Sequence, residues 1–244
     1  MRRLSFIITI ICLSAIYLKA QVVKTRVYFF PGQGSDERIF GQITLDSTFE
    51  RVFVTYPVPK KGMTLPEYAR EIGQTLDTTK PYVFIGVSLG GMICTELAGV
   101  MNPQKVIIIS SAKTRNELPA RYRFQHKLKI NRLVPPRLVK GGARILQPVV
   151  EPDRRHHART FRSMLRRKDP VYLKRTVDMI VNWERTTADS SIIHIHGSKD
   201  HTLPARNVRH DYLIKGGSHM MTLTRGDELN RLLLKLLRED ETAK

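Results

Sequence analysis

The residues best placed for covalent chemistry lie in the stretch Gly86-Val87-Ser88-Leu89-Gly90-Gly91. The apolar, β-rich run Tyr82-Val83-Phe84-Ile85 precedes it, and the helix-forming run from Met92 to Ala98 follows. A serine between glycines at a strand-to-helix junction is the G-x-S-x-G pattern. Such a serine sits on a strained turn with its hydroxyl above the sheet. The glycines remove Cβ atoms that would clash at so sharp a bend. The helix that begins there aims unpaired N–H groups and its positive end at the serine. A serine hydroxyl is a useful nucleophile near neutral pH only beside a base, and the base needs an orienting acid.

In a strand–turn–helix setting of this kind the order along the chain is Ser, then Asp or Glu, then His. Asp200 fits the acid, because Ser198-Lys199-Asp200-His201 directly follows the strand-like Ile192–Gly197. Asp189 precedes that strand, Asp211 falls within the next one, and no carboxylate follows the run ending at Ser110. His219 fits the base, in the loop Gly216-Gly217-Ser218-His219 before the last helical segment, whereas His194, His196 and His210 fall in strands. A tetrahedral oxyanion needs two preorganised donors. The backbone N–H of Leu89 is one candidate, and that of Gln33, in Pro31-Gly32-Gln33-Gly34, is the other.

These residues need a scaffold that brings strand ends together. Strands are expected over Arg26–Phe30, Arg51–Tyr56, Tyr82–Ile85, Lys105–Ser110, Ile192–Gly197 and Arg209–Ile214. The run at 105–110 is continuously apolar rather than alternating, as in a parallel strand buried on both faces. Thr64-Leu65-Pro66-Glu67 has the form of a capping box with an early proline, and Leu65, Tyr68, Ala69, Ile72 and Leu76 then keep helical spacing. Asp227–Glu239 reads as a closing amphipathic helix. Alternating strand and helix predict an α/β fold, a doubly wound and mostly parallel sheet of about six strands. Between Ser110 and Ser191 the alternation stops. Helical pieces are expected there at Ala120–Leu133, His156–Arg167 and Pro170–Glu184, with Pro135-Pro136, Gly141-Gly142 and Pro148 as hinges.

The 244 residues carry 41 Lys+Arg against 22 Asp+Glu, a formal charge of +19. Residues 113–185 hold 20 Lys+Arg against 6 Asp+Glu, a surplus of 14. This surplus points to an anionic partner, an acidic substrate or an anionic membrane surface; the ordinary alternative is a solvated basic face. Nucleic acid is disfavoured, because no recognised nucleic-acid motif accompanies the charge. Met1-Arg2-Arg3, the apolar run Leu4–Leu18 and Lys19-Ala20-Gln21 fit a signal peptide, or an uncleaved anchor since Leu18 is bulky for a cleavage site. Either places the body in the periplasm or outside the cell. Cys12 lies in this run, so cleavage would leave Cys94 alone, as a small core residue. His156-His157 lacks ligands at metal-site spacing, so neither metal nor cofactor is expected.

With these motifs in place, the chain resembles the α/β-hydrolases, of the compact kind with a helical cap. The resemblance rests on Gly86–Gly90, Gly197–Pro204 and Gly217-Ser218-His219, which together span the body of the chain. It implies Ser88 as nucleophile, Asp200 as orienting acid and His219 as base, with a core of residues 21–112 and 186–244 and a cap of 113–185. Two departures stand out. The oxyanion loop begins Pro31-Gly32 rather than His-Gly, and the N-terminal segment leaves no room for the strands that usually open the fold. Serine at the elbow argues against dehalogenase or epoxide-hydrolase chemistry, which needs a carboxylate there. The expected activity is cleavage of an ester or thioester of a small acyl substrate. An acyltransferase or a C–C or amide hydrolase is the alternative on the same residues, and a non-catalytic binder of anionic lipid or polysaccharide is the alternative of another kind.

Overall fold

The computed structural model describes residues 24–128, 134–150 and 157–239. The expected signal or anchor at 1–20, Cys12, residues 129–133 of an expected helix, and His156 lie outside the described residues.

Six strands form one sheet: β1 (Thr25–Phe30), β2 (Phe49–Phe53), β3 (Tyr82–Val87), β4 (Lys105–Ile109), β5 (Ile193–Gly197) and β6 (Tyr212–Ile214). Their order is β2-β1-β3-β4-β5-β6. Every neighbouring pair is parallel. Successive strand residues face opposite sides, and both sides are buried. Val27, Phe29, Ile85 and Ile107 pack on one face against the closing helix. Tyr28, Phe30, Phe84 and Ile108 pack on the other, against the helices that flank β3. This explains the unbroken apolar runs. Chain order reverses beside β1, so the loops after β1 and β3 meet at a crevice at the carboxyl ends.

The helices are α1 (Leu65–Gly73), α2 (Leu89–Ala98), α3 (Ala120–Leu128), α4 (Pro136–Val150), α5 (Ala158–Arg167), α6 (Pro170–Val181), α7 (Met221–Thr224) and α8 (Gly226–Arg238). The capping box of α1 is formed as its sequence predicts: the Thr64 hydroxyl accepts from the Glu67 N–H, and Glu67 accepts from the Thr64 N–H. Helices α3 to α6 lie between β4 and β5 in the chain. Phe161 and Met164 of α5 join the core on the α8 side. Met179 and Ile180 of α6, with Trp183, join the core on the α2 side. The Trp183 indole N–H also donates to Glu96 of α2 at 2.8 Å. The inserted helices therefore straddle the sheet edge that carries the crevice.

Two expectations are corrected. Gly141-Gly142 and Pro148 are not hinges, because α4 runs unbroken through all three, and Pro135-Pro136 stand at its start. Proline in the first turn lacks only an N–H that has no intrahelical partner. Val139, packed against Leu165, Tyr172 and Leu173, anchors the helix despite its glycines. The strand expected over 209–214 is paired only at Tyr212–Ile214. Asp211 stays exposed outside the paired strand, and its carboxylate accepts the His194 N–H at 2.7 Å.

The junction of β3 and α2 is packed to backbone contact. A Cβ on Gly90 would lie 2.1 Å from the Phe30 carbonyl oxygen of β1, and one on Gly86 would lie 2.5 Å from the Gly90 carbonyl oxygen. No flexible side chain can yield at either place. Gly90→Ala is therefore expected to lower unfolding free energy by about 1–3 kcal/mol or more. Gly99→Ala at the end of α2, where the nearest atom is 3.8 Å away, should stay within about 0.5 kcal/mol of wild type. Urea denaturation of both variants checks the contrast.

Candidate active site

Ser88 stands between β3 and α2 with φ 54° and ψ −120°, a left-handed conformation that costs a non-glycine residue about 1–3 kcal/mol. The strain is held from three sides. The Ser88 N–H donates to the Ile109 carbonyl at 3.0 Å, and the Ser88 carbonyl accepts from the Met92 N–H at 3.1 Å. The same carbonyl accepts from the Ser111 hydroxyl at 2.7 Å. Gly91 makes room for that hydroxyl, since a Cβ there would lie 2.5 Å from it.

The structure brings Ser88, His219 and Asp200 together. Ser88 Oγ is 2.9 Å from His219 Nε2. His219 Nδ1 is 2.8 Å from Asp200 Oδ2. A carboxylate only accepts, so the ring proton sits on Nδ1. That leaves the Nε2 lone pair to accept from the serine hydroxyl, the arrangement a general base requires. Both partners are buried, and the loops that carry them are pressed together: a Cβ on Gly197 would lie 2.3 Å from the Gly217 carbonyl oxygen. The Lys199 N–H donates to that carbonyl at 2.8 Å.

Asp200 is fully engaged. Its Oδ1 accepts from the Thr202 N–H at 2.8 Å and the Leu203 N–H at 2.7 Å. Burial is the largest influence and pushes the carboxyl up; the charge and hydrogen bond of His219, with the other donors, outweigh it and hold the group below its ordinary range. Asp189, by contrast, caps an exposed turn through Ser191, and Asp211 binds the β5 backbone.

Two strand histidines set aside as bases form a buried layer behind the acid. His196 Nε2 lies 2.8 Å from the Leu203 carbonyl oxygen and 3.5 Å from Asp200 Oδ2. Its Nδ1 lies 3.1 Å from His194 Nε2, and His194 Nδ1 lies 2.8 Å from the Arg209 carbonyl oxygen. Burial lowers both rings, His194 to about 3. Ser111 and His196 were not singled out from sequence. The Ser111 contact bridges 23 positions and leaves no local signal. His196 is four residues before Asp200 on a chain that folds back, which its strand assignment concealed.

As the first residue of α2, Leu89 has no intrahelical acceptor for its N–H. Gly32 lies against the serine, since a Cβ on it would be 3.4 Å from Ser88 Cβ. Gln33 follows it. Its side-chain amide donates to the Leu173 carbonyl at 3.0 Å and Thr176 Oγ1 at 2.7 Å, so the side chain faces α6. The Tyr56 hydroxyl donates to the Pro31 carbonyl at 2.9 Å and steadies the same loop. Cys94 is fully buried, and burial pushes its thiol well up. Among the described residues no group of three His, Cys, Asp or Glu side chains could hold a metal ion.

No protein-family model matches the sequence. No curated protein matches it either. Solved structures do. An esterase from Exiguobacterium antarcticum superposes with a TM-score of 0.62 at 16% identity, over 88% of this chain and 92% of that one. A thermophilic esterase from Thermogutta terrifontis gives 0.63 at 14% identity, over 89% and 90%. A hydrolase from Pseudomonas aeruginosa gives 0.66 at 15% identity, over 88% and 90%. The architecture is the α/β-hydrolase fold.

The histidine layer makes stability depend on pH. A buried neutral histidine with a lowered pKa binds fewer protons than its unfolded counterpart. Its contribution is therefore complete above the unfolded value of about 6.5 and is lost as pH falls toward its folded value. Unfolding free energy should rise with pH between about 3 and 6.5. His194→Gln should flatten that slope in urea titrations across the window; an unchanged slope would refute the neutral buried ring.

Proposed function

We propose that this chain is a serine hydrolase that cleaves a carboxylic ester or thioester of a small acyl substrate through an acyl-enzyme. One observation carries the reading: a serine on a strained elbow hydrogen-bonds a histidine at 2.9 Å, and that histidine is oriented at 2.8 Å by a buried carboxylate. Esterases among proteins of the same fold support it. Another neighbour is described as degrading N-acyl homoserine lactones, which are cyclic esters.

In this reading Ser88 Oγ attacks the carbonyl carbon while its proton passes to His219 Nε2. The Asp200 carboxylate stabilises the imidazolium and keeps its ring in place. The backbone N–H groups of Leu89 and Gln33 receive the oxyanion, each donor being worth about 2.7–4 kcal/mol of barrier. Collapse expels the alcohol or thiol, which takes the proton from His219. Water then attacks the acyl-enzyme with His219 again as base, releasing the acid and restoring Ser88. Fixing the N–H donors in the backbone makes them independent of side-chain motion. The apolar N-terminal run would carry this domain across a membrane, as a released signal or as a retained anchor.

Short p-nitrophenyl esters test the proposal. Ser88→Ala should lower kcat by roughly 10⁴–10⁶-fold, and Asp200→Asn by on the order of 10⁴, with both proteins still folded. Wild-type activity that survives Ser88→Ala would refute it.

A further inference from the structure

The positive charge of the inserted helices is not spread evenly. Between α4 and α5 lies a cavity of about 730 Å³ lined by Lys140 and Arg144 from α4 and by Arg159, Arg162 and Arg166 from α5. No carboxylate among the described residues lines it. The three α5 arginines recur at i, i+3 and i+7, so they form one stripe, opposite the buried Phe161 and Met164. Like charges in such a stripe repel one another. The second helix faces them with more of the same sign, and is fastened there: Lys140 Nζ donates to the carbonyls of Arg166 at 2.8 Å and Lys168 at 2.7 Å, closing the end of α5. Four arginines lining one cavity suit a phosphate group, which a guanidinium can grip bidentately; Arg162 keeps its Nε on the Ala158 carbonyl at 3.2 Å.

The outer face of α4 says where that phosphate comes from. Leu138 and Ile145 are 65% and 76% exposed, the highest values among the exposed large apolar side chains of the described residues. They lie seven residues apart and so share a face. Arg137 and Arg144, also exposed, each precede one of them and occupy the adjacent quarter of the helix. Val139 points inward and ties the helix to α5 and α6. A soluble anion would use the arginines and leave the leucine and isoleucine unexplained. An apolar edge beside a basic edge is the pattern of a helix that lies in a lipid interface.

We propose that the α4–α5 cavity binds the phosphate head group of an anionic phospholipid, and that α4 is the edge on which the domain rests on an anionic bilayer. The cavity adjoins the crevice: Leu165, one of its lining residues, lies 3.6 Å from where a Cβ on Gly34 would be, in the loop that also holds Gln33. Docking on α4 therefore sets the loop beside Ser88 close to the lipid. The inference concerns binding and does not rest on the hydrolase reading.

Vesicle sedimentation of the full chain tests it, using phosphatidylcholine with and without phosphatidylglycerol. The N-terminal segment is the same in every variant, so the quantity read is the change in preference for the anionic vesicles. Each basic residue at an anionic surface is worth about fivefold in partitioning, so Arg144→Gln, Arg159→Gln and Arg166→Gln combined should lower that preference by roughly a hundredfold. Replacing the equally exposed Arg206, Lys215 and Arg231 by Gln should change it far less. Leu138→Asn with Ile145→Asn, both on the surface, should weaken anionic-vesicle binding severalfold with an unchanged Tm. Equal losses from the two basic triples would reduce the effect to net charge and overturn the site. Tight binding of glycerol phosphate without vesicle preference would overturn the bilayer and leave a soluble phosphate ligand. Unchanged binding in the Asn pair would overturn the role of α4.

Discussion

Everything at the crevice depends on one close approach, the packing of the β3–α2 elbow against the end of β1. The Gly90 position meets the Phe30 carbonyl with no space for a side chain, and the Gly86 position meets Gly90 in the same way. That contact lets α2 start immediately after Ser88 and forces the serine to φ 54°. It also sets Gly32, two residues after β1, against Ser88 Cβ. Nucleophile candidate, helix N-terminus and glycine loop are thus fixed by backbone rather than by adjustable side chains. The strain at Ser88 is tolerated because Ile109, Met92 and Ser111 each hold one of its backbone groups.

The placement of Asp200 and His219 depends on a second contact of the same kind, Gly197 against Gly217. It brings the loop after β5 and the loop after β6 to within hydrogen-bonding distance. Asp200 then has its lone pairs occupied by His219 and two backbone N–H groups, which keeps a buried carboxylate ionised against the desolvation that opposes it. The layer of His196 and His194 fills the space behind the acid with rings that need carbonyl acceptors, and finds them at Leu203 and Arg209.

How much of this was legible in the sequence follows from the range of each interaction. The capping box at Thr64 and Glu67 is local and was readable. The G-x-S-x-G elbow is also local, and a parallel sheet converts chain order into proximity at the strand ends, so the spacing of Ser88, Asp200 and His219 could be read as one cluster. Helix α4 is hidden from a sequence reading because local chemistry argues against it: two glycines and Pro148 lie in its interior, and what holds it is the tertiary contact of Val139 and Lys140 with α5 and α6. Ser111 and His196 were not legible because their roles exist only once β4 and β5 lie beside the elbow and the Asp200 loop turns back. The charge surplus of residues 113–185 is plain in the sequence; that Lys140, Arg144, Arg159, Arg162 and Arg166 line one cavity needed the helices to be placed.

Whether Ser88 is a nucleophile activated by His219 is read most directly from the position of a covalent adduct after exposure of the folded protein to a fluorophosphonate, located by peptide mass spectrometry. One phosphonylated residue is expected, Ser88, with labelling lost in folded His219→Ala. An adduct on another residue, or equal labelling of His219→Ala, would contradict this role of Ser88.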